Sequence, residues 1–288
     1  GEERRIIVDT GLNSAEAFDE LCRQLAEVGV RPQDLTDILL THFHIDHVGL
    51  LPRLMKVSKA RLLLHIKDFE ASKSISSRFD AFWQNTKSFL EVNGVPHELS
   101  DQIRKSHLGL RNRKVYQVIS GQVTPLQGGK ELTVNGYHFQ VIWTPGHSRG
   151  HVCLYEPRIG LLIAGDHLLS TITPNITQLS EDGCALDEYF DSLKKVETLD
   201  VTLILPAHGE AFTNHRERIR QIRDHHGKRL SEVLKELRHC DLTPYQLASQ
   251  IPWNIDYSSW DQLPAFQKYL AIGETLAHIK LLEKRGLV

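Results

Sequence analysis

Residues 41–47 read Thr-His-Phe-His-Ile-Asp-His, an HxHxDH motif that directly follows a short apolar run. The run predicts a buried strand, and side chains two positions apart at an extended strand end point the same way. His42 and His44 are therefore placed to bind one metal ion. Asp46 and His47 follow one turn later, where they can face a second ion. This stretch predicts a metal site that begins at the end of a strand.

Three more polar clusters repeat this arrangement later in the chain. His147, Asp166 and His208 each lie just past a predicted strand, beside glycine or proline residues that allow a sharp turn. Side chains at the ends of neighbouring strands converge on one edge of a sheet, where α/β proteins hold their sites. We therefore expect these three side chains to join the HxHxDH motif.

The order of the predicted elements favours a layered α/β fold. Short strands that are apolar on both faces alternate with helices, as in sheets that are covered on both sides. Residues 66–114 are polar, helical and rich in aromatic side chains, and they predict a helical insertion that ends where strands resume at Val115. Helical periodicity takes over from about Asn214. We predict a catalytic domain at 1–222 and a small helical domain at 223–288.

Taken in order, these motifs resemble the metallo-β-lactamase superfamily over about residues 4–212, with a seven-ligand site like that of glyoxalase II. The resemblance implies a four-layer αββα sandwich with two metal ions on one edge. It also implies that Asp166 bridges the two ions and that Asp9 supports the metal-binding loop. The alternative for Asp9 is a turn residue at a strand end, before Gly11. The implied ligands of the first ion are His42, His44 and His147, and those of the second ion are Asp46, His47 and His208.

The ligand chemistry favours zinc as the cofactor. All seven side chains offer nitrogen or oxygen atoms and none is a cysteine, so we expect two Zn²⁺ per chain, with iron or manganese as alternatives. A hydroxide that bridges two such ions is the expected nucleophile, because each cation lowers the pKa of bound water. Asp46 is the predicted catalytic residue, which orients the hydroxide and passes its proton to the leaving group. The expected activity is that of a metal-dependent hydrolase.

The substrate class has two candidates. True β-lactamases of this superfamily typically lack a bridging aspartate at the Asp166 position, which moves this chain toward thioesterases, lactonases and nucleases. The leading hypothesis is hydrolysis of a small ester, thioester or lactone, with an acyl compound as the partner molecule. The alternative is a metal-dependent endoribonuclease that acts on single-stranded RNA.

Aromatic residues of the insertion bear on this choice. They either line a pocket for an apolar acyl group or pack the insertion against the sandwich. The residues concerned are Phe79, Phe82, Trp83 and Phe89.

Charge argues against a nucleic-acid-binding surface. The chain has 34 Lys and Arg against 36 Asp and Glu, a formal net charge of −2. Its tail resembles the winged-helix tail of β-lactamase-like hydrolases, some of which act on single-stranded RNA, yet we expect it to serve packing or homodimer formation. All seven implied ligands precede residue 222, so we expect the tail to be dispensable for metal binding. One basic run favours RNA: Arg216, Arg218, Arg220, Arg223, Lys228 and Arg229.

The remaining histidines and the cysteines receive simpler interpretations. His151 and His167 are expected to pack beside the ligands, whereas His215, His225 and His226 are expected on a solvated helix face. The four cysteines are scattered without a CxxC pair and are interpreted as reduced core residues.

Membrane spans and targeting segments bear on the cellular location of the protein. No apolar run approaches the ~20 residues that a bilayer span needs, so no membrane association is expected. The chain begins at Gly1 without a methionine, and the absence of a signal peptide is therefore uninformative. We expect a cytoplasmic protein.

Overall fold

The structure is a computed structural model that describes residues 4–112, 114–121, 123–253 and 257–288. Among these residues, nine strands form two sheets. The first sheet is fully parallel and has the order β1 (Ile6–Val8), β2 (Asp37–Leu39), β3 (Arg61–His65), β4 (Val123–Leu126). The second is antiparallel except for its last pair and has the order β5 (Glu131–Val134), β6 (Tyr137–Trp143), β7 (Val152–Glu156), β8 (Leu161–Gly165), β9 (Leu203–Pro206).

The helices of the described residues fall into three stretches. Those before the insertion are α1 (Ala15–Glu27), α2 (Ile45–Val48) and α3 (Leu51–Val57). Those between β3 and β4 are α4 (Ile66–Ser77), α5 (Phe79–Val92), α6 (His97–Ser106), α7 (Leu108–Arg111) and α8 (Lys114–Ile119). Those after β8 are α9 (Ala185–Glu197), α10 (His215–Leu237), α11 (Pro244–Gln250) and α12 (Ala265–Lys284).

The two sheets pack face to face and helices cover both outer faces. Apolar side chains of the first sheet, such as Leu39 and Leu63, meet Val141 and Leu154 of the second in one buried cluster. A second cluster joins the outer face of the first sheet to helices α1, α2, α3 and α8. A third joins the outer face of the second sheet to α9, α10 and the C-terminal helices. This is the expected four-layer αββα arrangement.

The helical insertion is present, but it is longer than predicted. Among the described residues from Ile66 to Ile119 its helices follow one another without an intervening strand, so the prediction that strands resume at Val115 is wrong. The physical reason is burial: Val115 and Ile119 lie four residues apart, on one face of α8, and both enter the core of the first sheet. Apolar residues at this spacing suit a helix as well as a strand.

The C-terminal residues form helices that share the core of the second sheet. Helix α10 is continuous from His215 to Leu237 and therefore crosses the predicted boundary between residues 222 and 223. The described residues after 214 contain no strand, so the wing of a winged-helix domain is not found among them. The division into two domains stays a prediction.

Two histidines of α10 contradict the expected solvated face. His215 and His226 are buried, and His226 Nδ1 lies 3.2 Å from Nε2 of His278 on α12. The cause is that α10 packs against both α9 and α12, and His215 and His226 lie among its buried residues. His225 remains partly exposed.

The cysteines differ in their exposure. Cys153 and Cys184 are buried as expected, whereas Cys240 is exposed.

Within the described part of the chain, we find no helix that combines the length and the apolarity required to cross a bilayer.

Trp83 is a core residue that stabilises the insertion. The side chain is 1% exposed and lies in a cluster with Leu99 and Ile103 of α6 and Ile272 of α12. We expect Trp83→Ala to lower the free energy of unfolding by about 3–5 kcal/mol, since it leaves a cavity. Urea denaturation measures the change.

The matched control is Val92→Ala at the end of the same helix, where the side chain is 85% exposed. This substitution should change the free energy of unfolding by less than about 0.5 kcal/mol. Equal effects of the two substitutions would contradict a core role for Trp83.

Candidate metal centre

The polar clusters predicted from the sequence all lie at strand ends in the folded chain. The HxHxDH motif connects β2 to α2, whose first turn contains Asp46. His147 lies in the loop between β6 and β7, Asp166 directly follows β8, and His208 lies two residues beyond β9. The sharp turn after β8 depends on Gly165, which has φ +51° and where a Cβ atom would lie 2.6 Å from His151 Nε2 and 2.9 Å from the Thr41 side chain.

Seven side chains assemble there into three overlapping groups. In each group the potential ligand atoms lie within 4.8 Å of one another. The structure thus brings together every residue that the sequence suggested for the two ions, while their roles as ligands stay predictions. The groups are His42 with His44 and His147, His42 with His47 and Asp166, and Asp46 with His47 and His208.

Asp166 lies between the two sets of histidines. Its Oδ2 is 3.3 Å from Nε2 of His147, whereas its Oδ1 is 3.5 Å from Nε2 of both His47 and His208. On the far side, His208 Nε2 is also 3.4 Å from Oδ2 of Asp46. One carboxylate oxygen therefore faces each set, as a bridging ligand requires.

Buried polar atoms without partners indicate that this space accepts a cation. Nε2 of His42, Nε2 of His47 and Oδ1 of Asp166 are buried and have no hydrogen-bond partner among the described residues. The same three residues form one of the groups above. An unsatisfied buried polar atom costs about 1–3 kcal/mol, so three facing one space favour a ligand that satisfies all of them. Nitrogen and oxygen donors without a thiolate fit a divalent ion such as zinc.

Burial keeps the histidines of the first set neutral. It lowers the pKa values of His42 and His147, and together with the nearby His147 it lowers the pKa of His44 to about 3. A neutral imidazole offers the lone pair that a metal ion needs.

Carboxylates dominate the electrostatics of the second set. Burial alone would lower the pKa of His47, but its contacts with Asp166 and Asp9 outweigh burial and raise the pKa to about 10. Burial opposes ionisation of Asp46, yet His208 and His47 lower its pKa to about 2. Asp46 is therefore a carboxylate at neutral pH.

Asp9 supports the metal-binding loop from behind. Its Oδ1 accepts from the Thr41 backbone N at 2.8 Å, and its Oδ2 accepts from Thr41 Oγ1 at 2.7 Å and from His47 Nδ1 at 2.9 Å. Asp9 holds a left-handed backbone conformation with φ +60°, which costs about 1–3 kcal/mol in a non-glycine residue. Of the two interpretations left open above, the supporting role is the one that the contacts bear out.

Thr41 also sets the orientation of the first ligand. Its hydroxyl donates to Asp9, so it accepts from His42 Nδ1, 3.0 Å away. Nε2 of His42 then carries the lone pair and faces the metal space.

Asp68 is a supporting residue that the sequence analysis missed. It is fully buried, and it accepts from Phe43 N at 3.2 Å, from Ser148 Oγ at 2.7 Å and from Gly150 N at 2.6 Å. Burial raises the pKa of this carboxyl to about 7. Asp68 thus ties the HxHxDH loop to the loop of His147. Its position just after β3, another strand end at this edge, was an available signal.

His151 and His167 occupy the supporting positions expected of them. His151 Nε2 accepts from the backbone N of Asp166 at 3.0 Å, and its Nδ1 lies 2.8 Å from Thr144 Oγ1. His167 is buried edge-on against Tyr189. Neither belongs to a metal-binding group within the described residues.

Known proteins share this fold along nearly the whole chain. A metallo-beta-lactamase family protein from Thermus thermophilus superposes with a TM-score of 0.81 at 28% identity, and the match covers 99% of this chain and 87% of that one. A beta-lactamase domain protein from Burkholderia ambifaria superposes with a TM-score of 0.79 at 25% identity, covering 98% of this chain and 78% of that one.

Sequence relatives agree with the structural ones. The probable metallo-hydrolase YqjP of Bacillus subtilis is 27% identical over 96% of this chain and 84% of its own length. The atrochrysone carboxyl ACP thioesterase of Aspergillus fumigatus is 25% identical over 82% of this chain, which spans 56% of that protein. The family described as the metallo-beta-lactamase superfamily matches residues 1–208, a range that ends on the last of the seven clustered side chains. The chain therefore belongs to the metallo-beta-lactamase superfamily of metallo-hydrolases.

Proposed function

We propose that this protein is a di-zinc hydrolase of a small ester, thioester or lactone. The observation that carries the proposal is the position of Asp166, whose two oxygens face two separate sets of histidines. Iron or manganese stays the alternative to zinc, because the nitrogen and oxygen donors suit all three metals.

Each set of side chains would hold one ion. His42, His44 and His147 would hold the first, and Asp46, His47 and His208 the second, with Asp166 shared. Two bound divalent cations supply a lowered pKa for water and a positive charge that polarises a substrate carbonyl.

Asp46 and His208 mark the open side of the site. Their side chains are 38% and 42% exposed, whereas those of His47 and Asp166 are almost fully buried. A substrate therefore approaches past these two side chains. Because Asp46 is ionised at neutral pH, its carboxylate can accept a proton and pass it to the leaving group, which is the catalytic role proposed for it.

A groove beside the insertion is the proposed site of the acyl group. It has a volume of about 440 Å³ and lies between α4, α5 and residues 179–180, with Phe82, Phe89 and Leu179 among its lining side chains. The carbonyl of Asn175 accepts a hydrogen bond from His147 Nδ1, and Asn175 precedes Leu179 by four residues. Because four residues span at most about 14 Å, Leu179 of the groove lies within that distance of Asn175. Trp83 does not line this groove, because it is buried in the core of the insertion.

The basic run of α10 gives RNA little to bind. Five of its arginines donate to a carboxylate or to backbone carbonyls of other residues, so their side chains are held within the fold. The carboxylates beside Arg220, Arg223 and Arg229 also offset part of the positive charge. The arginines with such partners are Arg216, Arg218, Arg220, Arg223 and Arg229. This pairing favours an acyl compound over single-stranded RNA. The relative named as an acyl-carrier-protein thioesterase also supports a thioester. A homodimer through the tail stays a prediction.

The bridging role of Asp166 makes a prediction about metal content. Asp166→Ala should deplete both ions, because the carboxylate touches both sets of ligands. His208→Ala should deplete mainly the second ion. Elemental analysis after dialysis against a weak chelator measures both variants. Loss of the same single ion from each would show that Asp166 does not bridge.

The groove makes a prediction about the substrate. Hydrolysis of acyl thioesters should quicken as the acyl chain lengthens, by up to about fourfold for each buried methylene of ~0.8 kcal/mol. Phe82→Ala should flatten this dependence in kcat/KM without loss of metal, since Phe82 is not among the proposed ligands.

Phe18→Ala is the matched control, because Phe18 packs on the first sheet and does not line the groove. It should leave the dependence on chain length intact. Equal rates across the acyl series, together with RNA cleavage that falls steeply with added salt, would replace this proposal with the ribonuclease.

A further inference from the structure

The C-terminal helix α12 touches the segment that orients a proposed metal ligand. His147 Nδ1 donates to the carbonyl of Asn175 at 2.9 Å, and the side chain of Asn175 donates through Nδ2 to Glu274 Oε2 at 3.2 Å. Glu274 belongs to α12, 99 residues away from Asn175. Two hydrogen bonds thus connect the end of the chain to His147.

The same segment is docked on α12 through its backbone. Gln178 N donates to the carbonyl of Gly273 at 2.9 Å. A Cβ atom at Gly273 would lie 2.8 Å from the side chain of Thr177, closer than real Cβ contacts allow. Glycine, a poor residue for a helix interior, therefore lets the helix and the segment approach. Glu274 directly follows Gly273. The contact of Gly273 with Thr177 and Gln178 therefore sets the distance between Glu274 and Asn175.

Glu274 is buried and is held from its other side by positive charge. Its Oε1 lies 3.7 Å from Nε of Arg229, which belongs to α10. Arg229 in turn donates to the carbonyl of Pro252 at 2.6 Å and lies over the ring of Trp253 at 4.3 Å. Partly exposed His225 approaches the same oxygen at 3.8 Å. Glu274 therefore has little freedom to move, and the amide of Asn175 is fixed with it.

We propose that Glu274 is a positioning residue for the metal ligand His147. By holding Asn175, it places a backbone carbonyl on Nδ1 of His147, which leaves Nε2 with its lone pair toward Asp166 and the first ion. This inference rests on the proposed function, because it requires His147 to be a ligand. It also departs from the expectation that the C-terminal residues are dispensable for metal binding.

The test compares the affinity of metal-free protein for zinc in Glu274→Ala and Glu274→Gln. The alanine variant loses the acceptor for Asn175, and it should bind the first ion about 10- to 100-fold more weakly, with the second ion less affected. The glutamine variant keeps an acceptor oxygen at the same place and should recover most of the affinity. Titration against a chelator measures both steps, and His44→Ala identifies the step that belongs to the first ion.

Asn175→Ala turns the comparison into a double-mutant cycle. This substitution removes the side-chain amide but keeps the backbone carbonyl. Alone, it should weaken binding of the first ion about as much as Glu274→Ala does. The double variant should lose little more than either single variant, because both break one hydrogen bond. Glu232→Ala is the control, since Glu232 pairs with Arg229 without touching Asn175. It should bind both ions like the unaltered protein.

Three results would overturn the inference. These are unchanged affinity in Glu274→Ala, equal weakening of both ions, and additive losses in the double variant. Thermal unfolding of each variant would reveal a general loss of structure. Such a loss would weaken the binding of both ions, and Glu274→Gln would not restore it. Failure of the unaltered protein to bind zinc would instead refute the proposed function itself, so the two failures are distinguishable.

Discussion

A buried carboxylate between two sets of histidines is the constraint on which the site depends. Asp166 is held at the end of β8, and its oxygens face ring nitrogens that approach from three other strand ends. Leaving a carboxylate and several imidazoles buried without partners is costly, whereas divalent cations bound between them would satisfy these ligand atoms. The sandwich of two sheets is the scaffold that makes these strand ends meet.

The proposed ligands are held in place by side chains that lie behind them. Asp9 bonds the backbone and hydroxyl of Thr41 and the ring of His47, and Asp68 joins the HxHxDH loop to the loop of His147. These contacts link segments that are far apart in the chain, so the site exists only when both sheets and the first helix of the insertion are assembled. The strained backbone of Asp9 is tolerated because three hydrogen bonds hold it.

Sequence alone was sufficient for the fold class and for the membership of the clustered site, but not for the end of the insertion. HxHxDH is a dense local pattern, and the later clusters each follow a strand, so convergence at one edge was predictable. Glu274 was not predictable, because its partner Asn175 lies 99 residues away and no local spacing reveals the contact. Asp68 had the signal of a strand end, but nothing in the sequence showed that it would join Ser148 and Gly150, 80 and 82 residues away. The aromatic residues of the insertion were ambiguous for a different reason. Composition does not say which face of α5 is buried, and the structure assigns Trp83 to the core and Phe82 to the groove. Composition likewise did not reveal that His226 is buried, because its helix α10 packs against both α9 and α12.

The measurement that tests the central claim most directly is the metal content of the purified, metal-replete protein. Elemental analysis should find close to two zinc ions per chain, because each of the two proposed ligand sets has three side chains of its own and both share Asp166. A content that stays at one ion or fewer after zinc is added and the excess is removed would contradict a binuclear site.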